Sequence, residues 1–398
     1  MGNNLRLGIF GFGVVGQGLY RVLEETRGIK AEIVKICVKD RTKKRSLPDH
    51  YFTFDKKDIL ENQDVDVVLE LIDDPIAAYE IVTTAMKNGK SVVTANKKMV
   101  ADNMTELLEL QAKHKVSLLY EGSCCASIPI IRNLEEYYDN DLLNAVEGIF
   151  NGSTNFILTK VFSENKSFDE SLAEAQRLGY AESNPALDVE GYDAKYKLCI
   201  ILTHAFGLVV HPDEVFNYGI QNISDFDIKI ARERGYKIKL LAKSRKIDDR
   251  HVVAMVIPQF VSNKSELYKV EREFNGVIVE GAFSEHQVFI GKGAGGYPTG
   301  SAVLSDISAL TYNYKYEYKK TAQESGLELF DDFPINIYLR FTKPEIIEKN
   351  AFISISEEYK ALENQYIIGR INFRKLRQAP WLCSPDVCVI LLENGEHE

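Results

Sequence analysis

The feature that most constrains the fold is a glycine-rich turn near the start of the chain. Residues 5–26, LRLGIFGFGVVGQGLYRVLEET, predict an apolar strand, the turn GFGVVG and then an amphipathic helix. Gly11 permits the tight turn, Gly13 lets a pyrophosphate approach the backbone, and Gly16 allows the helix to pack closely on the strand. The helix N-terminus then offers N–H groups to phosphates. With a second strand predicted at 31–40, the segment indicates a dinucleotide-binding domain. Its candidate cofactor residues are Gly11, Phe12, Gly13, Val14, Val15 and Gly16.

The end of the second predicted strand bears on the choice of cofactor. Asp40 stands where an acid would hold a ribose 2′-hydroxyl, as NAD requires. Arg41, Lys43, Lys44 and Arg45 follow directly, and a basic cluster suits the 2′-phosphate of NADP, the alternative being a solvated basic loop. The sequence favours NADP and leaves NAD open, with Asp40 and Arg41 as candidate cofactor residues.

The next segments continue the alternation of strands and helices. VDVVLELI at 65–72 is typical of a parallel strand covered on both faces, and a helix is predicted from about 77 to 88. SVVTANK at 91–97 predicts another strand, with Lys97 just past its end. Ligands of an open parallel sheet bind beyond the carboxyl ends of its strands, so Lys97 is a candidate site residue, although many strand-end lysines are only solvent-exposed.

A cluster of acidic residues with one lysine marks the second part of the chain. Residues 177–206 contain Glu182, Asp188, Asp193 and Lys197. If the run after Gly191 is helical, Asp193 and Lys197 are four residues apart and share one face. Taken alone, such a pair is most often an ordinary surface ion pair, so a functional interpretation needs further support.

The rest of the chain predicts a mixed α/β architecture. A capping box, Ser167 with Glu170, predicts a helix over 167–180, and NGST at 151–154 predicts a polar turn that caps a helix. Further predicted elements are helices over 225–245, strands at 251–260, 275–283 and 286–291, a glycine-rich turn and helix over 291–310, and strands at 335–341, 352–355, 366–373 and 387–392.

Composition limits the class of partner. Among 398 residues, 58 are acidic and 48 basic, and the formal net charge of −10 argues against nucleic acid or an anionic membrane and favours a small-molecule ligand. No signal-peptide pattern and no apolar run of about 18 residues is present, so a cytoplasmic protein is expected. The six cysteines lack zinc-site spacing and are expected to be reduced.

Five motifs together resemble the homoserine dehydrogenase family, in the family's order and spacing: GFGVVGQG, VVTANK, NGSTNFIL, LGYAESNPALDVEGYDAKYKL and GKGAGGYPTGSAVLSDI. The match covers residues 5–312. The resemblance implies the reversible reduction of L-aspartate 4-semialdehyde to L-homoserine by NADPH or NADH, with NADP or NAD as the oxidised cofactor, a step towards threonine, methionine and isoleucine.

The resemblance also implies roles for single residues. Lys197 is similar to the family's proton donor, and Lys97 to its second active-site lysine beside the cofactor. The chemistry needs such groups, because a hydride delivered to an aldehyde leaves an alkoxide that must be stabilised and protonated. Carboxylates suit the α-ammonium of the substrate. The implied substrate-binding residues are Glu182, Asp188, Asp193, Gly152, Ser153 and Tyr180, and the implied backbone positions near the cofactor are Gly179 and Gly295.

Family members also bind a monovalent cation, often sodium, through a loop similar to YEGSCCASIPII. The implied ligands here are Glu121 and the backbone carbonyls of Cys124, Ala126 and Ile128.

The chain departs from the family at three places. Cys125 and Ser127 replace small residues, Asp73-Asp74 replaces Gly-Gly, and Asn184 replaces the aspartate of AExDP. Two carboxylates beside a phosphate-bearing cofactor would be repelled unless they face away.

The expected fold class is α/β with three parts: an N-terminal Rossmann domain at 1–130, an α+β substrate-binding and dimerisation domain with a mixed sheet at 131–315, and a small α+β appendage at 316–398. The chain is expected to return to the nucleotide domain near 291–315. INIYLRF at 335–341 resembles the first strand of an ACT module, but TKPEIIEKN replaces the following loop and helix, so inhibition by L-threonine is a hypothesis. A homodimer or homotetramer is expected.

Two other functions are compatible with parts of the pattern. A catalytically silent dinucleotide-binding regulator would typically have lost the lysine pair, and both Lys97 and Lys197 are present. Another oxidoreductase of this architecture, of the semialdehyde or saccharopine type, would need an acylating cysteine or a different set of arginines. Cys124 and Cys125 are the candidates for the former.

Overall fold

The computed structural model describes residues 4–139, 143–164, 166–178, 180–181, 184–323 and 326–393. The strands are β1 (Leu5–Phe10), β2 (Ala31–Cys37), β3 (Phe52–Thr53), β4 (Val67–Glu70), β5 (Ser91–Thr94), β6 (Leu118–Leu119), β7 (Leu143–Ile149), β8 (Phe216–Asn217), β9 (Lys237–Lys246), β10 (His251–Val261), β11 (Phe274–Gly281), β12 (Glu285–Lys292), β13 (Glu328–Leu329), β14 (Pro334–Phe341), β15 (Phe352–Lys360), β16 (Gln365–Asn372) and β17 (Val387–Leu391). The helices are α1 (Val14–Glu25), α2 (Lys57–Leu60), α3 (Pro75–Lys87), α4 (Lys97–Asp102), α5 (Met104–His114), α6 (Ile130–Glu136), α7 (Gly152–Glu164), α8 (Phe168–Arg177), α9 (Ala186–Val189), α10 (Tyr192–Phe206), α11 (Asp225–Glu233), α12 (Gly296–Leu310), α13 (Lys319–Ala322) and α14 (Phe373–Arg377).

The first compact unit comprises residues 1–141, 199–212 and 291–324. Its six strands form a sheet in the order β3-β2-β1-β4-β5-β6, and the paired strands are parallel. This is the strand order of a doubly wound dinucleotide-binding fold, in which the order reverses next to β1. The predicted Rossmann domain is confirmed.

Glycines allow the first helix of this unit to pack closely against α12. A Cβ atom added to Gly18 would lie 2.1 Å from the carbonyl oxygen of Gly296, and one added to Gly300 would lie 2.6 Å from the amide nitrogen of Leu19. Backbones this close exclude any side chain at these positions. The glycine-rich run at 291–300 therefore serves helix packing inside the nucleotide-binding unit.

The second compact unit comprises residues 142–198, 213–290 and 325–398 and is built on a large mixed sheet. Nine strands follow the order β12-β11-β7-β9-β10-β17-β14-β16-β15, with β8 and β13 pairing with β10. The four predicted C-terminal strands are present and pair antiparallel in the order β17-β14-β16-β15. Short 3₁₀ turns, Pro344–Ile346 and Lys349–Ala351, occupy the connection after β14. By their contacts, these strands cluster with the second unit.

One predicted helix was partly wrong. The sequence predicts helix over 225–245, but α11 ends at Glu233, and residues 237–246 form β9. Gly235, at φ +76°, ends the helix, and β9 then pairs with β10 on one side and β7 on the other. Because this lysine-rich segment pairs with a strand along each edge, it is a strand despite its helix propensity. None of the helices in the described part of the chain has the length and apolar character of a membrane span.

Candidate active site

The turn between β1 and α1 leaves the backbone open on one face. Gly11 has φ +94°, and a Cβ atom there would lie 2.4 Å from the Leu71 carbonyl oxygen. A Cβ atom on Gly13 would meet nothing within 4 Å. No side chain caps the N-terminus of α1, which begins at Val14, so its first N–H groups are not occupied by a capping side chain. This arrangement fits the pyrophosphate of a dinucleotide.

The loop after β2 is organised around Asp40, which lies beyond the end of that strand. Its Oδ1 accepts hydrogen bonds from Thr42 Oγ1 at 2.8 Å, from Thr42 N at 2.7 Å and from Lys43 N at 3.2 Å. The hydroxyl and amide of Thr42 chiefly lower the pKa of Asp40. The guanidinium of Arg41 lies 4.6 Å from the centre of the Phe54 ring. One oxygen of Asp40 is thus committed to its own loop, while Arg41 adds a positive charge there.

Asp74, one of the two acids of the Asp73-Asp74 pair, faces its own helix. It is the N-cap of α3, and its Oδ1 accepts hydrogen bonds from Ile76 N at 3.0 Å and Ala77 N at 3.1 Å. Hydrogen bonding to the backbone of Ala77 is the main cause that lowers its pKa. Its carboxylate therefore stabilises the start of a helix.

Lys97 is the first residue of α4 and lies three positions after Thr94, the last residue of β5. The preceding Asn96 caps this helix through a hydrogen bond from Met99 N at 3.0 Å. Asn96 Nδ2 also donates to the carbonyl oxygen of Ile72 at 3.1 Å. The structure thus places Lys97 at the edge of the sheet that the sequence predicts.

A buried acid that sequence reasoning missed supports this edge. Glu70, at the carboxyl end of β4, has no solvent-exposed surface and accepts hydrogen bonds from Thr94 Oγ1 and from Ile72 N, the latter at 2.8 Å. Burial raises the pKa of Glu70 to about 7. The side chain ties the loop after β4 to the end of β5. A lone acid inside the apolar run VVLELI was the available signal.

Lys197 and Asp193 form a buried pair on α10. Lys197 Nζ donates to Asp193 Oδ2 at 2.7 Å and to the carbonyl oxygen of Phe150 at 2.7 Å. The side chains of Lys197 and Asp193 are 8% and 9% exposed. The predicted helix and its i, i+4 spacing are present, and the burial distinguishes this pair from an ordinary surface ion pair.

Asn151 joins this pair to a second carboxylate, a role that the sequence did not reveal. Its Nδ2 donates to Asp188 Oδ1 at 2.6 Å and to Asp193 Oδ2 at 2.8 Å. Its Oδ1 accepts a hydrogen bond from Thr154 N at 2.8 Å, so the predicted capping function of the NGST turn is present as well. One side chain thus holds two carboxylates and the start of α7.

The other predicted substrate residues lie at the start of α7 or just after α8. A Cβ atom on Gly152 would lie 2.6 Å from the Glu273 carbonyl oxygen. Ser153 Oγ donates to the Tyr180 carbonyl oxygen, and the Tyr180 ring packs 4.8 Å from that of Phe156. Predicted Glu182 and Gly179 fall outside the described residues. Gly295, in the first unit, precedes α12 with φ +118°.

In the loop predicted to bind a cation, the carboxylate of Glu121 is hydrogen-bonded to the first turn of α6. The Glu121 carboxylate accepts hydrogen bonds from Ile131 N and Arg132 N, both at 2.9 Å, and burial raises its pKa to about 7. The Glu121 and Ile128 carbonyls each accept a backbone hydrogen bond, and Ala126 has φ +40°. Within the described ranges, no group of three or more His, Cys, Asp or Glu side chains could hold a metal ion.

Two family models match this chain, and together they cover most of the candidate site residues described above. Residues 11–121 match the NAD binding domain of homoserine dehydrogenase, and residues 129–308 match the homoserine dehydrogenase domain. The chain is 37% identical over 314 residues to the homoserine dehydrogenase of Lactococcus lactis, covering 76% of this chain and 73% of the relative. It is 38% identical over 324 residues to the enzyme of Corynebacterium glutamicum, covering 78% and 73%.

Solved structures extend the similarity to the C-terminal strands. A homoserine dehydrogenase from Thiobacillus denitrificans superposes with a TM-score of 0.87 at 28% identity, covering 98% of each chain. A hyperthermophilic archaeal homoserine dehydrogenase mutant in complex with NADPH gives a TM-score of 0.67 at 26% identity, covering 79% of this chain and 99% of that one.

Proposed function

This chain belongs to the homoserine dehydrogenase family and is an NAD(P)-dependent oxidoreductase of amino-acid biosynthesis. From that premise we propose that Lys197 is its general acid and base in the interconversion of L-aspartate 4-semialdehyde and L-homoserine. The buried contact of Lys197 with Asp193 carries this proposal. Its test is NADP-dependent oxidation of L-homoserine by the purified protein, which should be at least a hundredfold slower when Lys197 is removed. A catalytically silent regulator is not favoured.

The contacts of Lys197 hold its Nζ at a fixed position, which suits a group that donates and accepts a proton. When bound, the nicotinamide supplies or accepts the hydride. In the direction of reduction, Lys197 donates a proton from Nζ to the oxygen of the former aldehyde, and in oxidation Nζ takes that proton back. Asp193 Oδ2 and the Phe150 carbonyl fix the position of Nζ, so little reorganisation is needed at the moment of transfer.

Asp193, Asp188 and Glu182 have different roles in the proposed mechanism. Asp193 holds Lys197 through Oδ2, and Asn151 holds Asp188 beside it. We assign Asp188 and Glu182 to the α-ammonium of the substrate, since a carboxylate and an ammonium form strong charge-assisted hydrogen bonds. Lys97, at the end of β5, has the charge to stabilise the developing alkoxide or the substrate carboxylate.

We expect NADP to be preferred to NAD, and Arg41 to carry that preference. Replacing Arg41 by alanine should raise KM for NADP about tenfold or more and change KM for NAD less than about twofold, because only NADP presents a 2′-phosphate to the guanidinium. Arg27→Ala, which removes an exposed arginine before β2 instead of after it, is the matched control. Equal effects of Arg41→Ala on both cofactors would refute this role.

We propose that the predicted sodium ion binds through Glu121 and the backbone carbonyls of Cys124, Ala126 and Ile128, since a carboxylate that accepts two backbone hydrogen bonds keeps further lone pairs. Hard cations of this kind prefer oxygen ligands. Activity should rise and saturate with NaCl but not with choline chloride at equal ionic strength. Identical activity in the two salts would contradict the cation site.

Two predictions concern the whole protein. The homodimer or homotetramer stays a prediction, and light scattering tests it, since a mass of 45.1 kDa would indicate a monomer. The response to L-threonine also stays a prediction, and a titration that leaves the rate unchanged up to millimolar concentrations would dispose of it.

A further inference from the structure

Asn275, near the start of β11, has an unusual hydrogen-bonding pattern. Its side chain has no exposed surface, and its Nδ2 donates to the carbonyl oxygen of Phe150 at 3.1 Å. Its Oδ1 accepts no hydrogen bond from any described residue. A buried amide is held in one orientation by the hydrogen bonds that it makes, and a leucine of similar shape would make none. The hydrogen bond from Nδ2 to Phe150 is the contact that a leucine would remove.

That donor reaches the same carbonyl oxygen that holds the proposed catalytic lysine. Phe150 O accepts Nζ of Lys197 at 2.7 Å and Nδ2 of Asn275 at 3.1 Å, which uses both lone pairs of the oxygen. Phe150 lies between β7 and α7, just past the pairing of Ile149 with Gly276, so the sheet does not fix its carbonyl by itself. The Asn275 amide donates to this oxygen beside Lys197 and so limits rotation of the peptide group.

The backbone next to Asn275 is itself held in place by buried groups. Asn155 Nδ2 donates to the Phe274 carbonyl at 3.0 Å and to the Val270 carbonyl at 3.2 Å. Lys239 Nζ donates to Asn155 Oδ1 at 2.8 Å. A rigid support of this kind is what keeps an active-site group within a few tenths of an ångström of its working position.

We propose that Asn275 is a positioning residue for Lys197: its amide fixes the Phe150 carbonyl in the orientation in which that oxygen holds Nζ for proton transfer. The inference rests on the proposed role of Lys197 as proton donor and acceptor. Asn275 touches neither the substrate nor the cofactor in this role and acts through the peptide group. Loosening that peptide group slows the proton step without weakening substrate binding.

The test compares Asn275→Leu with wild-type protein in single-turnover oxidation of L-homoserine by NADP, in H₂O and in D₂O. The rate should fall between about tenfold and a hundredfold, as misplacement of a catalytic group by about 1 Å predicts, with KM for both substrates within about twofold of wild type. The solvent isotope effect should rise, because the proton transfer then limits the rate more strongly. Asn275→Ser, which admits a bridging water, should recover part of the rate and replaces the leucine variant if that does not fold.

Asn222→Leu is the matched control, because Asn222 Nδ2 also donates to backbone carbonyls, those of Ser384 and Val387, in the same unit. It should lower thermal stability and leave both the single-turnover rate of folded protein and the isotope effect unchanged. An Asn275→Leu protein with the wild-type rate, or with a lower rate and an unchanged isotope effect, overturns the positioning role alone. No homoserine oxidation by the wild-type protein overturns the proposed function, and this inference with it.

Discussion

Replacing Lys197 by alanine should lower the turnover of L-homoserine at least a hundredfold while NADPH still binds. General acid and base groups typically contribute about a hundredfold to ten-thousandfold to rate, and alanine leaves no group at this position to exchange the proton. The cofactor turn, at Gly11 to Gly16, lies in the other compact unit and should keep its affinity. Steady-state kinetics and a fluorescence titration with NADPH measure the two quantities separately.

The control for this variant is Lys229→Ala. Lys229 and Glu233 form another i, i+4 pair, on α11, with Nζ 3.8 Å from the carboxylate and side chains that are 69% and 57% exposed. An exposed pair of this kind contributes at most about 0.5 kcal/mol, so its loss should leave turnover unchanged. Turnover of Lys197→Ala within a few-fold of wild type would remove Lys197 from the mechanism.

Replacing Asp193 by leucine should lower the free energy of unfolding by about 3–5 kcal/mol and abolish turnover. The ammonium of Lys197 then stays buried without the carboxylate that lies 2.7 Å away, and breaking a buried pair on one side typically costs this much. The double variant Asp193→Leu with Lys197→Met removes both charges and should recover most of the stability but none of the turnover. Urea unfolding of the three proteins measures the difference.

A single Asp193→Leu variant as stable as wild type would show that Asp193 does not support the charge of Lys197. An equally unstable double variant would show that packing at α10, instead of charge, causes the loss. Either result would show that Asp193 and Lys197 do not act together as a charged pair.

The sequence predicted the parts of this protein that depend on local pattern. The order strand, GFGVVG, helix requires Gly11 in a left-handed conformation and close backbone packing, so few other folds can contain it. The i, i+4 spacing of Asp193 and Lys197 similarly needed only a helix. The capping box of Ser167 with Glu170 is present for the same reason.

The parts that depend on distant segments were not predictable in this way. The Phe150 carbonyl holds Lys197, but a carbonyl belongs to every residue, so no letter in the sequence marks it. The contact of Asn275 with that carbonyl joins residues 125 positions apart. Pairing on both edges made β9 a strand, and the folded loop turned Glu121 towards the start of α6.

The most direct measurement is the absorbance of reduced nicotinamide during oxidation of L-homoserine, recorded with NADP and NAD in parallel for wild-type protein and Lys197→Ala. The account predicts a homoserine-dependent rise in absorbance for the wild-type protein, faster with NADP than with NAD at equal concentration, and at least a hundredfold slower rise for the variant. No rise with either cofactor, or an equal rise for both proteins, would contradict it.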